Sequence, residues 1–179
     1  HMKTIYIASG TEEYMKKFMD LHPEENFRLF FGEDHVLIIH ETEGKSHFQY
    51  PKSYRSVVSI GDIPEKGFAI IWYVPVLDEF RPIFEYTAKE RGFQFAKISG
   101  FCAFRLLRPM KEDPYAVILC LKDKVIYDCW EEFFKSVMES FKDKHYPRPG
   151  FSRKYKIGEP EPREEGEDDR NRQNKPLPF

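Results

Sequence analysis

The sequence predicts an α+β protein in which two consecutive β-α-β-β-α units pack together as an internal pseudo-dimer. Two observations favour this fold class. The same order of β-rich runs and amphipathic helical patterns appears twice, once on each side of Gly67. The 179 residues are 41% hydrophobic and include 17 Phe and 10 Tyr, which is enough to bury an ordinary core. The repeat lies in the order of the elements, because the residues of the two halves do not repeat.

The first half, residues 3–62, opens with a β-rich segment from Lys3 to Ser9. Thr11 follows, and its hydroxyl suits the N-cap of a helix because it can accept a hydrogen bond from an unpaired N–H group of the first turn. Apolar residues at helical spacing continue to Leu21. We expect this helix to end before Pro23, since the residue before proline avoids helical angles.

The rest of the first half predicts a hairpin and a second helix. Phe27 to Phe31 and Val36 to Glu41 are apolar runs on either side of a polar turn, a pattern typical of a β-hairpin. An amphipathic helix closed by Gly61 is then predicted from the spacing of Tyr54, Val57, Val58 and Ile60. The unit therefore reads β-α-β-β-α.

The second half, residues 67–157, repeats this order. Phe68 to Val76 is predicted as a strand, and Asp78 begins a helix that ends at Gly92. Two further strands are Phe101 to Leu107 and Tyr115 to Leu121. The clearest helical period in the sequence comes next, and its apolar positions are Val125, Ile126, Cys129, Trp130, Phe133, Phe134, Val137, Met138 and Phe141.

A last strand and a polar tail complete the chain. Phe151 to Ile157 is predicted to return to the sheet and close the second unit. The resulting order of elements is that of ferredoxin-like units. Residues 158–179 form an acidic segment with almost no apolar side chains, and we expect it to be disordered because it has little to bury.

Charge and cysteine content restrict the functional class. The 28 basic and 30 acidic residues give a net charge of −2, which favours neither nucleic acid nor an anionic membrane as a partner. The three cysteines show no Cys-x-x-Cys spacing, and no stretch approaches the roughly 18 apolar residues of a transmembrane helix. We expect a cytoplasmic protein without a transmembrane segment. His1 before Met2 is typical of an expression-tag remnant.

Few residues form a recognisable catalytic or metal-binding pattern. The sequence has no phosphate-binding glycine loop, no Gly-x-Ser-x-Gly elbow and no His-Glu-x-x-His pair. Four histidines fall in the first half, but their spacings match no metal-site pattern, so a solvated or capping role is favoured over metal binding: His22, His35, His40 and His47. The sequence therefore predicts no metal site.

Two pairs of side chains in the second half remain open to two interpretations. Arg105 and Arg108 flank the end of a strand, where they either grip a ligand carboxylate or, as we favour, pair with nearby acids. Trp72 and Tyr73 are adjacent in a strand and must face opposite sides of the sheet, in a site or in the core.

A set of residues in a characteristic order runs from Lys3 to Ile157. They are Tyr6, Gly10-Thr11, His22-Pro23, Ile38 to Thr42, Gly44, Phe48-Gln49, Pro51, Tyr54, Gly67-Phe68-Ala69, Arg81-Pro82, Phe84-Glu85, Gly100-Phe101 and Arg105 to Pro109. With this order the chain resembles the Isd-type haem-degrading monooxygenases of the antibiotic-biosynthesis-monooxygenase (ABM) superfamily, in their longer form with an extra N-terminal half, and the related TRAP proteins. The resemblance implies a ferredoxin-like β-barrel.

The resemblance also implies where a haem site would lie. Active members of the family use an Asn, a Trp and a His, and the His ligates the haem iron. In this chain the corresponding positions hold Trp72, Leu121 and the segment around Met138, and the nearest histidine is His145, about one turn later. The candidate cofactor-binding residues are therefore Trp72, Met138 and His145, in a pocket between the final helix and the strand of Trp72.

Three functions follow from this comparison of residues. The first is a non-catalytic regulatory or stress-related protein of the ABM fold, because the triad is missing. The second is a binder of haem or another apolar aromatic ligand, which degrades haem with other residues if it is an enzyme. The third is a cofactor-independent monooxygenase acting on another aromatic substrate. Both a monomer and a homodimer are compatible with the sequence.

Overall fold

The computed structural model describes residues 3–141 and 146–160. In chain order its elements are β1 (Thr4–Gly10), α1 (Glu12–Leu21), β2 (Phe27–Phe31), β3 (Val36–Thr42), β4 (Lys52–Gly61), β5 (Gly67–Val74), α2 (Arg81–Phe95), β6 (Phe101–Pro109), β7 (Tyr115–Leu121), α3 (Lys124–Glu139) and β8 (Phe151–Ile157). A 3₁₀ turn, Asp78–Phe80, precedes α2. Among the described residues no helix has the length and apolar character needed to cross a membrane.

The eight strands close into an antiparallel barrel with the order β1-β3-β2-β8-β5-β7-β6-β4. The first half contributes the run β2-β3-β1-β4, and the second half contributes the equivalent run β6-β7-β5-β8. These runs match strand for strand, and they join where β4 pairs with β6 and β2 pairs with β8. The predicted α+β class and the internal pseudo-dimer of ferredoxin-like units are confirmed.

The predicted second helix of the first half is wrong. Tyr54, Val57, Val58 and Ile60 lie on strand β4, so this half reads β-α-β-β-β. A β-bulge explains the misleading pattern, because the register of β4 against β6 shifts between Ser56 and Val58. One extra residue there breaks the two-residue alternation of a strand and leaves apolar side chains at a spacing that resembles a helix.

Glycine at position 92 does not end α2, as the sequence suggested, but allows the helix to approach the sheet. A Cβ added to Gly92 would lie 2.6 Å from the Phe104 ring, and α2 continues past it to Phe95. The N-terminus of α1 is as predicted, because the Thr11 side chain accepts a hydrogen bond from the backbone N–H of Tyr14 at 3.2 Å.

Side chains alternate between two apolar layers along the strands. The barrel interior is filled by one buried cluster, and its members include Ile5, Ile7, Leu37, Ile39, Ile71, Leu107, Ile118 and Cys120. The outer face of the second half is covered by α2 and α3, and its cluster includes Trp72, Phe84, Phe95, Phe104, Leu121 and Phe134. A smaller cluster lies under α1. Burial raises the pKa of the Cys120 thiol, so this core cysteine is a poor nucleophile.

The predicted tail lies mostly outside the described residues. Of residues 158–179 the structure describes Gly158, Glu159 and Pro160. The carboxylate of Glu159 lies 2.7 Å from the ammonium group of Lys66, so the chain is still held against the barrel at this point. The remainder of the segment predicted to be disordered, residues 161–179, lies outside the described residues.

Candidate functional site

A cavity of about 810 Å³ lies between β5, α3 and the segment from Tyr146 to Ser152. Its lining is mostly aromatic and aliphatic: Trp72, Tyr73, Val74, Pro75, Met138, Phe141, Tyr146, Pro147, Pro149 and Phe151, with Lys135, Glu139, Arg148, Gly150 and Ser152. Sites for cofactors and other small molecules usually have volumes of about 300–1,000 Å³ and apolar walls with a few polar groups. The cavity therefore has the size and character of a binding site for a large apolar molecule.

Trp72 belongs both to the core and to the wall of the cavity. It is 7% exposed, and its ring centroid lies 6.2 Å from that of Phe95 and 6.4 Å from that of Phe134. Tyr73 packs instead against the barrel interior. The two neighbours therefore face opposite sides of the sheet, as strand geometry requires.

The other two candidate residues come from the end of α3 and the chain after it. Met138 lies in the last turn of α3 and lines the cavity beside Trp72. His145 lies outside the described residues. Phe141 and Tyr146 are the described residues on either side of the gap, and both line the cavity. The structure thus brings Trp72 and Met138 together.

Leu121, the position that corresponds to the family Trp, lies away from this cavity. It is fully buried at the end of β7, where it pairs with Phe68 and Phe101. Trp72 pairs with Val117, four residues earlier on the same strand, and four residues of β-strand span about 13 Å. Leu121 is not among the described residues that line the cavity.

Two basic side chains stand at the cavity. Lys135 forms an ion pair with Glu131 on the exposed face of α3, with 2.9 Å between the ammonium and carboxylate groups. Arg148 is exposed and has no ion pair among the described residues. A guanidinium group in this position can bind a carboxylate through two parallel hydrogen bonds.

Arg105 and Arg108 form ion pairs within the fold, which confirms the favoured prediction. Nε of Arg105 lies 3.1 Å from Oε2 of Glu41. Arg108 binds both oxygens of Glu85, with Nε 2.8 Å from one and a terminal nitrogen 2.7 Å from the other. Neither arginine is among the described residues that line the cavity.

Glu85 is held as a carboxylate by its partners. Burial alone would raise its pKa, but the hydrogen bonds from Arg108 and from the Tyr115 hydroxyl outweigh burial and lower the pKa below the ordinary 4.5. The pKa of Tyr115 is raised, first by burial and then by its hydrogen bond to Glu85. This group connects α2 to β6 and β7.

Three of the four histidines in the first half meet around Glu25, which the sequence pattern did not reveal. Nε2 of His40 lies 2.9 Å from one oxygen of Glu25, and Nε2 of His47 lies 2.7 Å from the other. The ring of His22 stacks on that of His47 with 4.1 Å between centroids. The hydrogen bonds from His47 and His40 lower the pKa of Glu25. His35 lies elsewhere, 2.9 Å from the hydroxyl of Tyr155.

Comparison with known proteins places the chain among ABM-fold proteins. No family model matches the sequence. It is 26% identical to the signal transduction protein TRAP of Staphylococcus epidermidis over 124 residues, which cover 69% of this chain and 74% of that protein. It is also 26% identical to a heme-degrading monooxygenase of Listeria monocytogenes over 131 residues, which cover 73% of this chain and 78% of the enzyme.

The fold is shared with solved structures. A ferredoxin-fold protein of Listeria monocytogenes, described as related to antibiotic biosynthesis monooxygenases, superimposes with a TM-score of 0.73 and 23% identity. The match covers 88% of this chain and 95% of that one. The resemblance predicted from the residues is therefore confirmed: the chain is similar in sequence to TRAP proteins and to a heme-degrading monooxygenase, and it shares the ferredoxin-like fold of proteins related to antibiotic biosynthesis monooxygenases.

Proposed function

We propose that this relative of TRAP proteins and haem-degrading monooxygenases is a non-catalytic protein that binds haem or a porphyrin of similar size. The cavity of about 810 Å³ between β5 and α3 is the observation that carries the proposal. Its long apolar walls suit a large planar ring, because burial of apolar surface is worth about 25 cal/mol per Å². A regulatory role would follow from binding without turnover.

The residues at the triad positions support binding without catalysis. Trp72 occupies the position of the Asn in active family members. Its indole N–H can only donate a hydrogen bond, so it cannot replace both the N–H donor and the carbonyl acceptor of the Asn carboxamide. Leu121 is fully buried in the core cluster of the second half and cannot press on a ligand in the cavity. The lining residues that the structure describes include no imidazole, so a ligand there would be held chiefly by apolar contact.

Arg148 supports a ligand that carries carboxylates. It lies at the cavity and is exposed, and the walls around it include Tyr146 and Phe151. A porphyrin ring against these walls would place its propionate groups toward solvent, within the reach of such a side chain. A charge-assisted hydrogen bond of this kind fixes the orientation of the ring.

Fluorescence titration with haemin tests the proposal directly. In a Trp130→Phe background Trp72 is the remaining tryptophan, and haemin in the cavity should quench it while the haemin absorbance shifts. Ser152 is exposed, lines the cavity and pairs with Trp72, so Ser152→Trp in the full-length chain should obstruct the site without disturbing the core. For the Ser152→Trp variant, haemin binding is followed by the change in haemin absorbance.

Arginine variants provide the matched comparison. We expect Arg148→Ala to weaken haemin binding about tenfold, or about 1.4 kcal/mol. Arg153→Ala removes the other arginine that is exposed among residues 3–141 and 146–160, and since Arg153 is not among the described lining residues, this change should leave binding unchanged. Unquenched Trp72 fluorescence, or binding that survives Ser152→Trp, would refute the proposed site.

Haem degradation is the second candidate, and one observation favours it. Phe141 and Tyr146, the described residues that precede and follow the stretch containing His145 in sequence, both line the cavity. The test is to add ascorbate to the haemin complex. Loss of the haem absorbance with iron release in the wild type, abolished in His145→Ala, would identify an enzyme and refute the non-catalytic proposal.

A further inference from the structure

We propose that His22, Glu24 and His47 form a binding site for a divalent transition-metal ion such as Zn²⁺. One nitrogen from each imidazole and one oxygen of the Glu24 carboxylate all lie within 4.8 Å of one another. Two imidazoles and one carboxylate are donors that Zn²⁺ accepts readily, and sites with three protein ligands keep a fourth position for water. The spacing in sequence did not reveal this set, because His47 comes from a distant loop.

The proposed metal site lies in a different part of the fold from the apolar cavity. His22 and Glu24 lie between α1 and β2, and His47 lies in the loop 43–51 that joins β3 to β4. In the second half the corresponding connection, from β7 to β8, contains α3. The metal site and the apolar cavity have no residue in common and belong to different halves of the pseudo-dimer.

A tight turn places Glu24 beside His22. His22 caps the C-terminus of α1, where its backbone N–H donates to the carbonyl of Met19 at 3.1 Å. The backbone N–H of Glu25 in turn donates to the carbonyl of His22 at 3.1 Å. Nδ1 of His22 consequently lies 3.9 Å from Oε1 of Glu24. Two of the three ligands are therefore fixed by local backbone structure.

The third ligand is brought in by packing of the loop on α1. Phe48 stacks on Phe18 with 4.6 Å between ring centroids and 18° between ring planes. The adjacent ring of His47 stacks on His22 with 4.1 Å between centroids and 20° between planes. Two successive stacked pairs therefore hold the loop against the end of the helix.

Glu25 orients His47 for metal binding. A neutral imidazole that donates its Nε2 proton to a carboxylate carries its lone pair on Nδ1, and such carboxylate–histidine pairs are typical outer partners of bound zinc. Glu25 accepts this hydrogen bond from His47 at 2.7 Å and a second one from His40 at 2.9 Å. His40 is fully buried, so it anchors Glu25 from the core side. Glu25 is therefore a positioning residue of the site.

Only small movements are needed to close the site around an ion. Zn–N bonds of about 2.0–2.1 Å put tetrahedral ligand atoms about 3.3 Å apart. Because the ligand atoms lie within 4.8 Å of one another, no pair must approach by more than about 1.5 Å. The side chains of His22, Glu24 and His47 are 25%, 65% and 35% exposed, which leaves them room to adjust. The same exposure leaves a coordination position open to solvent.

Metal titration of the chain without His1 tests the inference, since an N-terminal histidine is itself a chelator. Zn²⁺ affinity is measured by competition with a chromophoric chelator, and Co²⁺ reports the ligand geometry through its visible spectrum. We expect His22→Ala, His47→Ala and Glu24→Gln each to weaken Zn²⁺ binding at least tenfold. His35→Ala removes a histidine outside the cluster and should change nothing.

Two further variants separate ligation from structure. His47→Cys should recover part of the affinity lost in His47→Ala, because a thiolate is also a zinc ligand, whereas a merely structural role would not be rescued. Glu25→Gln should weaken binding but preserve the Co²⁺ spectrum, as expected of a positioning residue. Metal-free melting curves show whether each variant is folded. Unchanged Zn²⁺ affinity in both histidine-to-alanine variants, or an equal loss in His35→Ala, would overturn the proposal.

Discussion

Arg105 and Glu41 form an ion pair that faces the interior of the barrel. Their side chains are 3% and 8% exposed, and Arg105 lies between the interior residues Ala103 and Leu107 on β6. Arg105 also donates to the carbonyl of Ile60 at 3.0 Å. The pair therefore connects β3 of the first half to β6 of the second half, through side chains as well as through the sheet.

Removal of one partner of this pair should strongly destabilise the protein. We expect Glu41→Ala to lower the free energy of unfolding by about 3–5 kcal/mol, because the Arg105 charge is left buried without its carboxylate. Urea denaturation at neutral pH measures the change. Glu43→Ala, at an exposed position two residues further along the chain, is the matched control and should cost less than about 0.5 kcal/mol.

Replacement of both charges gives the complementary result. Glu41→Leu combined with Arg105→Met should recover most of the stability lost in Glu41→Ala, because apolar residues of similar size can fill such a site. If the double variant is no more stable than Glu41→Ala, the loss comes from packing rather than from an unpaired charge.

Phe134 should be a principal stabilising residue of α3. Its side chain is fully buried between α3 and the sheet, and its ring lies 5.6 Å from that of Tyr127 and 5.3 Å from that of Phe95. We expect Phe134→Ala to cost about 3–5 kcal/mol in denaturant unfolding. Trp130→Ala on the same helix removes a side chain that is 44% exposed and should cost much less. A loss below about 1 kcal/mol for Phe134→Ala would contradict the packing described for α3.

Glu85 should make the protein sensitive to acid. Its folded-state pKa is lowered, so the stabilisation it provides is present above the ordinary value of 4.5 and is lost as pH falls through the folded-state value. The stability difference between the wild type and Glu85→Gln should therefore shrink as pH is lowered from 7 to 3. Parallel urea denaturations at several pH values measure this difference, and Glu90→Gln on the exposed face of α2 serves as control. If the stability difference between the wild type and Glu85→Gln does not change with pH, the negative charge of Glu85 does not stabilise the fold.

Residues 161–179 should be dispensable for folding. The segment from Glu161 onward is rich in charged residues, Pro and Asn, and has almost nothing to bury. A chain that ends at Pro160 keeps the ion pair between Lys66 and Glu159, so we expect its melting temperature to match that of the full chain within a few degrees. A larger drop would mean that the removed residues pack on the barrel.

The type of each secondary-structure element was predictable where local hydrogen bonding and side-chain period agreed, and β4 is the element where they did not. The capped helix after Thr11 and the long stripe of α3 follow from local hydrogen bonding and period, so both were found. The bulge at Ser56 in β4 depends on pairing with β6, which is distant in sequence. Gly92 is a second example of a role that depends on a distant residue, since it allows close contact with Phe104 and does not end the helix.

The position of the candidate cavity was predictable from the family resemblance, although its role as a ligand site stays a prediction. Trp72 and Met138 were assigned to one pocket, and both line the same cavity. It was not predicted that residues Tyr146 to Ser152 form a wall of the cavity, because no local sequence pattern indicates that a loop after a helix folds back over a strand. The meeting of His22 with His47 was missed for the same reason, since it depends on how a loop packs on α1.

The position of β8 has a consequence for synthesis on the ribosome. After the first four strands have emerged, the nascent sheet ends in β2 and β4, and both edges have unpaired backbone groups. The edge of β4 is covered when β6 emerges, but the edge of β2 stays uncovered until β8 emerges, about 120 residues later in the chain. Long-range pairing of this kind is slow, and exposed strand edges favour association between chains. The nascent polypeptide is thus prone to associate with other chains until β8 has emerged.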